Sequence, residues 1–151
     1  MDVIVRTVTI EENGERTEAE AFASMVSSDG MYELAYSEDL SGEGIKTSTI
    51  MRITDKYMSI VREGEVSSEF VYEENTVHNS LYETFYGDLP ISIETSSYGM
   101  LDFIKKEQEV VFRMGDEPKQ STCLIRVDAS FKVDFGGEVS EKTIEIEIHR
   151  A

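Results

Sequence analysis

The clearest pattern in the chain is an alternation of apolar and polar side chains from Cys123 to Phe135. The odd positions Cys123, Ile125, Val127, Ala129, Phe131, Val133 and Phe135 are apolar, while the even ones after Leu124 are Arg126, Asp128, Ser130, Lys132 and Asp134. Successive strand side chains point to opposite faces, so a period of two predicts a long strand with one buried and one wet face. Such a length suits a strand that bends within a curled sheet. Gly136-Gly137 follows, and Thr143 to His149 alternates again with Ile144, Ile146 and Ile148 facing in. The two runs predict a C-terminal hairpin. Upstream, Tyr32, Leu34 and Tyr36 share a face against Glu33 and Ser37. Asp29-Gly30 sits just before them and suits the positive φ angles of a two-residue hairpin turn.

Further strands are predicted at 3–10, 47–54, 57–63, 67–73, 81–86, 89–95, 100–105 and 108–114. Turn signals divide most of them: Thr54-Asp55-Lys56, Gly64, Asn75 to Asn79, Gly87-Asp88, Gly99 and Gly115 to Pro118. Pro90 marks a strand start or an edge. Residues 17–28 carry two patterns. Thr17-Glu18-Ala19-Glu20 reads as a capping box with Ala19, Phe22, Ala23 and Val26 at helical spacing. Ala19, Ala21, Ala23 and Met25 also alternate, and the direct run into Asp29-Gly30 favours a strand hairpinned with 31–38. About ten short strands with regular punctuation predict an all-β antiparallel sandwich or barrel. No linker or repeat interrupts it, so residues 1–151 form a single domain.

Several fragments, taken in order, resemble one known family. They are Tyr32-Glu33-Leu34-Ala35-Tyr36-Ser37-Glu38, a Tyr-x-Leu-x-Tyr-x-Glu pattern; Val61-Arg62-Glu63-Gly64; Tyr82-Glu83-Thr84-Phe85-Tyr86-Gly87; and the final hairpin. Together they are similar to the YwiB-like family of small bacterial proteins. The resemblance implies an antiparallel calycin-like β-barrel of about 8–10 strands, related in shape to lipocalins. The chain departs from that pattern at Phe85, where the family commonly has proline, and residues 11–28 match weakly. The family implies no reaction and no ligand.

Composition narrows the function. Fourteen lysines and arginines against 31 aspartates and glutamates leave a net charge of −17. A nucleic-acid backbone binder needs a basic surface, and anionic membrane repels this one. With 40% hydrophobic residues and fourteen aromatics, the chain has core material that disordered acidic chains lack. The single cysteine excludes an internal disulfide and suits a reducing, cytoplasmic setting. The first residues lack the apolar block of a signal peptide.

Catalytic signatures are absent. His78 and His149 are the only histidines, no Gly-x-Ser-x-Gly elbow occurs, and Cys123 lies on the apolar stripe, where a thiol acts as a small hydrophobe. Two distant histidines and one cysteine make no recognisable zinc site. Asp39 to Gly44 lacks the acidic periodicity of a calcium loop. No cofactor or metal is therefore expected. Two features remain. Arg52 shares a strand face with Ile50, and Arg62 shares one with Met58 and Ile60, so either guanidinium has a route into the barrel. There it needs an anion, bound or built in, such as a neighbouring glutamate. Tyr82, Thr84 and Tyr86 share a face that would fix a polar head group. The expectation is a non-catalytic barrel binding a small, anionic or amphiphilic molecule through Arg52, Arg62, Tyr82, Thr84 and Tyr86. A rival is an acidic interaction module for a basic protein. An acid–base enzyme using a carboxylate with Tyr82 or Tyr86 ranks last.

Overall fold

Asp29 and Gly30 take φ angles of 50° and 79°, and Ser28 pairs with Met31 across them. This is the tight turn expected of Asp-Gly, and it settles residues 17–28 as a strand. The computed structural model describes residues 1–39, 44, 46–105 and 123–151. Its strands are β1 Asp2–Glu11, β2 Arg16–Ser28, β3 Met31–Glu38, β4 Thr47–Ile53, β5 Tyr57–Glu63, β6 Val66–Glu73, β7 Thr76–Thr84, β8 Gly87–Asp102, β9 Cys123–Phe135 and β10 Glu138–Arg150. Each is antiparallel to the next, and β1 pairs with β10 to close a ten-stranded barrel. Closure removes the exposed edges that an open sheet would offer to other chains.

Boundaries differ from expectation in three places. Asn75 to Asn79 is largely strand, because β7 begins at Thr76. The strands predicted at 89–95 and 100–105 are one strand, β8, running through Gly99 and Tyr98 along β9. Gly99 acts as no breaker there, since it pairs with Asp128 of β9; the register shifts instead between Thr95 and Ser97. Residues 103–105 are helical, ending β8 earlier than predicted. The strand at 108–114 and the turn at 115–118 lie outside the described residues.

The barrel interior changes character along its axis. At the end where the chain starts, the inward side chains are large and fully enclosed, including Val3, Val5, Leu34, Met51, Ile53, Met58, Ile125 and Ile148. Tyr98 seals this end by donating to the carbonyls of Thr54 and Tyr57 at 2.7 and 3.0 Å. Towards the other end, inward positions become small and hydroxylated. On β1, Val3 and Val5 give way to Thr7 and Thr9; on β4, Ile53 and Met51 give way to Thr49 and Thr47; on β6, Tyr72 and Phe70 give way to Ser68. A barrel of this strand number is filled or hollow according to side-chain size. Here the closed half is packed and the mouth is not.

Candidate functional site

The mouth contains a cavity of about 630 Å³. Aromatic and aliphatic side chains form most of its wall, among them Ile60, Phe70, Tyr72, Phe131, Val133 and Phe135. β5 and β6 enter it through Arg62 and Ser68, and β10 through Glu138 and Lys142. Tyr82 joins from β7, its ring edge-on to Phe135 at 4.9 Å. Beside this wall, β6 and β7 pair only at Val66 with Thr84 and Ser67 with Glu83. The cavity therefore lies next to the seam with the shortest ladder in the barrel.

Register explains how Arg62 reaches the interior. Tyr36 pairs with Thr49, Thr49 with Arg62, and Arg62 with Ser68, an inward-facing row across four strands. Glu38 follows Tyr36 on the same face of β3. Its Oε2 accepts from Arg62 Nε at 3.0 Å and from Thr49 Oγ1 at 2.6 Å. Both charged side chains are largely enclosed, 21% exposed for Arg62 and 16% for Glu38. The guanidinium also lies 5.9 Å from the centre of the Phe70 ring. Gly64 ends the same segment, where an added Cβ would lie 3.0 Å from Thr47 Oγ1 and 3.3 Å from its Cα. The glycine thus lets β5 turn closely over β4. Two of the motif fragments, ending in Glu38 and containing Arg62, meet at this one point.

The electrostatics follow from burial. Tyr36 holds its phenolic proton well above the ordinary range, first through burial and then through the charge of Glu38, with Arg62 opposing. Burial pushes Tyr72 up to about 12, again against Arg62. Both phenols are therefore neutral hydrogen-bonding groups. A guanidinium has five N–H donors. Among the described residues, Arg62 spends only its Nε donor on a hydrogen bond. Its planar terminal nitrogens suit a carboxylate or phosphate.

The other sequence candidates fall elsewhere. Arg52 is outside the barrel: Thr49, Met51 and Ile53 take the inner face of β4, and Arg52 pairs with Glu33 at 3.2 Å on the outer one. The apolar pair Ile50 and Met51 made the parity of β4 ambiguous, and burying Met51 and Ile53 decides it. Thr84 is the last residue of β7, at the turn into β8. Its hydroxyl donates to the Gly87 carbonyl at 2.6 Å and accepts from the Tyr86 N–H at 3.2 Å. Tyr86 is 97% exposed at the tip, beyond the end of β7, and meets Tyr82 and Thr84 only along an open surface depression outside the mouth. Of the proposed stripe, only Tyr82 lines the cavity. Glu38, Thr49 and Lys142 belong to the mouth and were not among the candidates; Lys142 is ion-paired with Glu11 at 3.1 Å.

Cys123 also moves. The register with β10 slips between Ile148 and His149, pairing Ile148 with Ile125 but His149 with Cys123. Leu124 is the extra residue and is fully buried. Cys123 is thereby turned to the outer face, away from the stripe that its odd number implied. No described helix is long and apolar enough to cross a membrane.

No curated protein matches the sequence. The fold is similar to the crystal structure of ywiB protein from Bacillus subtilis, with a TM-score of 0.66 and 16% identity, covering 99% of this chain and 90% of that one. At that identity the likeness speaks for the fold, in agreement with the YwiB-like fragments. Residues 3–117 match the family described as "Domain of unknown function (DUF1934)", and the chain belongs to that family.

Proposed function

We propose that the barrel is a non-catalytic binding protein for a small amphiphile with an anionic head and an apolar body. One observation carries the reading: a cavity within the usual size range of ligand pockets, about 300–1,000 Å³, combines an aromatic wall with the Arg62 guanidinium. The head group would engage the terminal nitrogens of Arg62, while Thr49 and Glu38 hold the guanidinium in place. Phe131, Val133 and Phe135 would cover the apolar body, and the β6–β7 seam beside them would yield to admit it. The −17 charge supports an enclosed cation as the recognition device, because the chain's acidic exterior would otherwise repel an anion.

Thermal shift with medium-chain fatty acids and their uncharged alcohols, backed by native mass spectrometry, tests this reading. Acids should stabilise the wild-type protein in a saturable way and alcohols less so, and Arg62→Met should abolish the difference. Equal response to acids and alcohols, or no response to either series, would count against it.

A further inference from the structure

At the closed end, on the outer wall of the barrel, the bulge at Leu124 brings Cys123 beside Glu147 and His149. One ligand atom from each lies within 4.8 Å of the others. His149 Nε2 is 3.2 Å from Glu147 Oε2, and all three side chains are half-buried. Lys142, in the mouth, lies seven residues from His149 along β10, or about 23 Å of strand. The cluster is thus independent of the cavity.

We propose that Cys123, Glu147 and His149 form a three-ligand site for a borderline-soft divalent transition metal, with Zn²⁺ the fitting ion. The donor set is the first argument. Thiolate, imidazole and carboxylate are the zinc donors, whereas calcium and magnesium take oxygen. Charge is the second. A thiolate and a carboxylate neutralise Zn²⁺, and the imidazole completes the set without adding charge. Distance is the third. Tetrahedral Zn–N, Zn–O and Zn–S bonds put ligand atoms about 3.3–3.8 Å apart. Glu147 and His149 already stand about that close, and a small rotation of the cysteine side chain supplies the remainder. The rigidity of a paired strand is the fourth, because Glu147 and His149 are alternate residues of β10 and Cys123 is the register partner of His149. Three protein ligands leave a fourth position for water or a small anion.

The same atoms fit a cysteine–histidine nucleophile poorly. An activated cysteine is a thiolate held by positive charge. Here burial and then the Glu147 carboxylate push the thiol's pKa up, and the imidazole Nε2 already faces Glu147. A bound cation reverses that balance, since a coordinating thiol is deprotonated outright.

Cobalt titration of the full chain after chelator treatment tests the site, since Co²⁺ reports thiolate ligation through a charge-transfer band. The expected result is saturation at one equivalent, displacement by Zn²⁺, and loss of the band in Cys123→Ser. His149→Ala and Glu147→Gln should each weaken binding at least about tenfold. Circular dichroism guards against misfolding, and Glu145→Gln, two residues before Glu147 on the same outer face but outside the cluster, serves as the neighbouring control. Absence of a saturable band overturns the proposal. So does binding that survives Cys123→Ser unchanged, or that Glu145→Gln weakens as much as Glu147→Gln, which would mark diffuse attraction to an acidic surface.

Discussion

Arg62 and Glu38, 24 residues apart in sequence, are joined inside the barrel through Nε and Oε2 at 3.0 Å. The pair is only partly shielded, so its energy lies between that of a surface ion pair and a fully buried one. Removing one partner is worse than removing both, because the survivor stays enclosed without compensation. Arg62→Met should lower the unfolding free energy by about 1–3 kcal/mol. Arg62→Met combined with Glu38→Leu should be less destabilising than the sum of the single changes, by about 0.5–3 kcal/mol. Urea unfolding of the four proteins measures the coupling. Strict additivity would mean that the contact contributes nothing to the fold.

Ser68 pairs with Arg62 across β5 and β6 and faces the cavity. Leucine there adds apolar atoms to open space instead of to a packed core. Ser68→Leu should therefore leave stability within about 1 kcal/mol of wild type, or raise it. The same change should weaken fatty-acid binding, since it occupies the volume the apolar body needs. Denaturation and thermal-shift experiments on one preparation separate the two effects. Marked destabilisation would show that the mouth is already full, and unchanged binding would place the ligand elsewhere.

Adjacent residues at the start of β9 should behave oppositely. Leu124 is fully buried, so Leu124→Ala should cost about 2–5 kcal/mol, the usual loss for a large-to-small change in a core. Cys123 is half-buried on the outer face, and Cys123→Ser should stay within about 1 kcal/mol of wild type in metal-free buffer. Unfolding curves for both variants decide between this bulged register and an unbroken alternation. In the unbroken case Cys123 would be the core residue, and the two costs would be exchanged.

That reversal marks where sequence reading stops. Period-two alternation places Val127, Ala129, Phe131 and Ile144 to Ile148 correctly, because one face of each strand is buried and a slip would expose all of it. Arg62 is legible for the same reason, sharing a face with Met58 and Ile60. Glu38 is the next residue on the face of Tyr32, Leu34 and Tyr36, so its inward direction was within reach of the same rule. Its contact with Arg62 depends on the register of β3, β4 and β5 together, which no single strand encodes. Cys123 and Tyr86 fail differently. A bulge changes the parity of everything beyond it, and the Thr84 hydroxyl ends β7 two residues before Tyr86. Both are properties of how a strand is paired or stopped, not of its composition.

Alkaline solution should unfold this barrel more steeply than an ordinary acidic protein. Burial raises the pKa of Tyr36, Tyr72 and Tyr98, with Glu38 adding to the effect at Tyr36 and Asp55 at Tyr98. In the unfolded chain a tyrosine loses its proton near pH 10, whereas the folded barrel retains it. Above that pH the unfolded state therefore binds fewer protons, and stability falls as pH rises. The contribution is intact below about pH 10 and disappears progressively as the pH climbs towards the folded values. Each fully shielded phenol removes about 1 kcal/mol at most between pH 10 and 11, where the unfolded tyrosine goes from half to almost fully ionised, so the three together remove up to about 3 kcal/mol. Tyr98→Phe supplies the control. It forfeits the bonds to Thr54 and Tyr57, lowering stability at neutral pH, yet it should flatten the alkaline slope, by less than about a third because Tyr32 is raised as well. Urea midpoints from pH 8 to above pH 11, read with tyrosinate absorbance, measure both quantities. If the ionised absorbance of all seven tyrosines developed near pH 10 while the barrel stayed folded, these phenols would not be shielded from water.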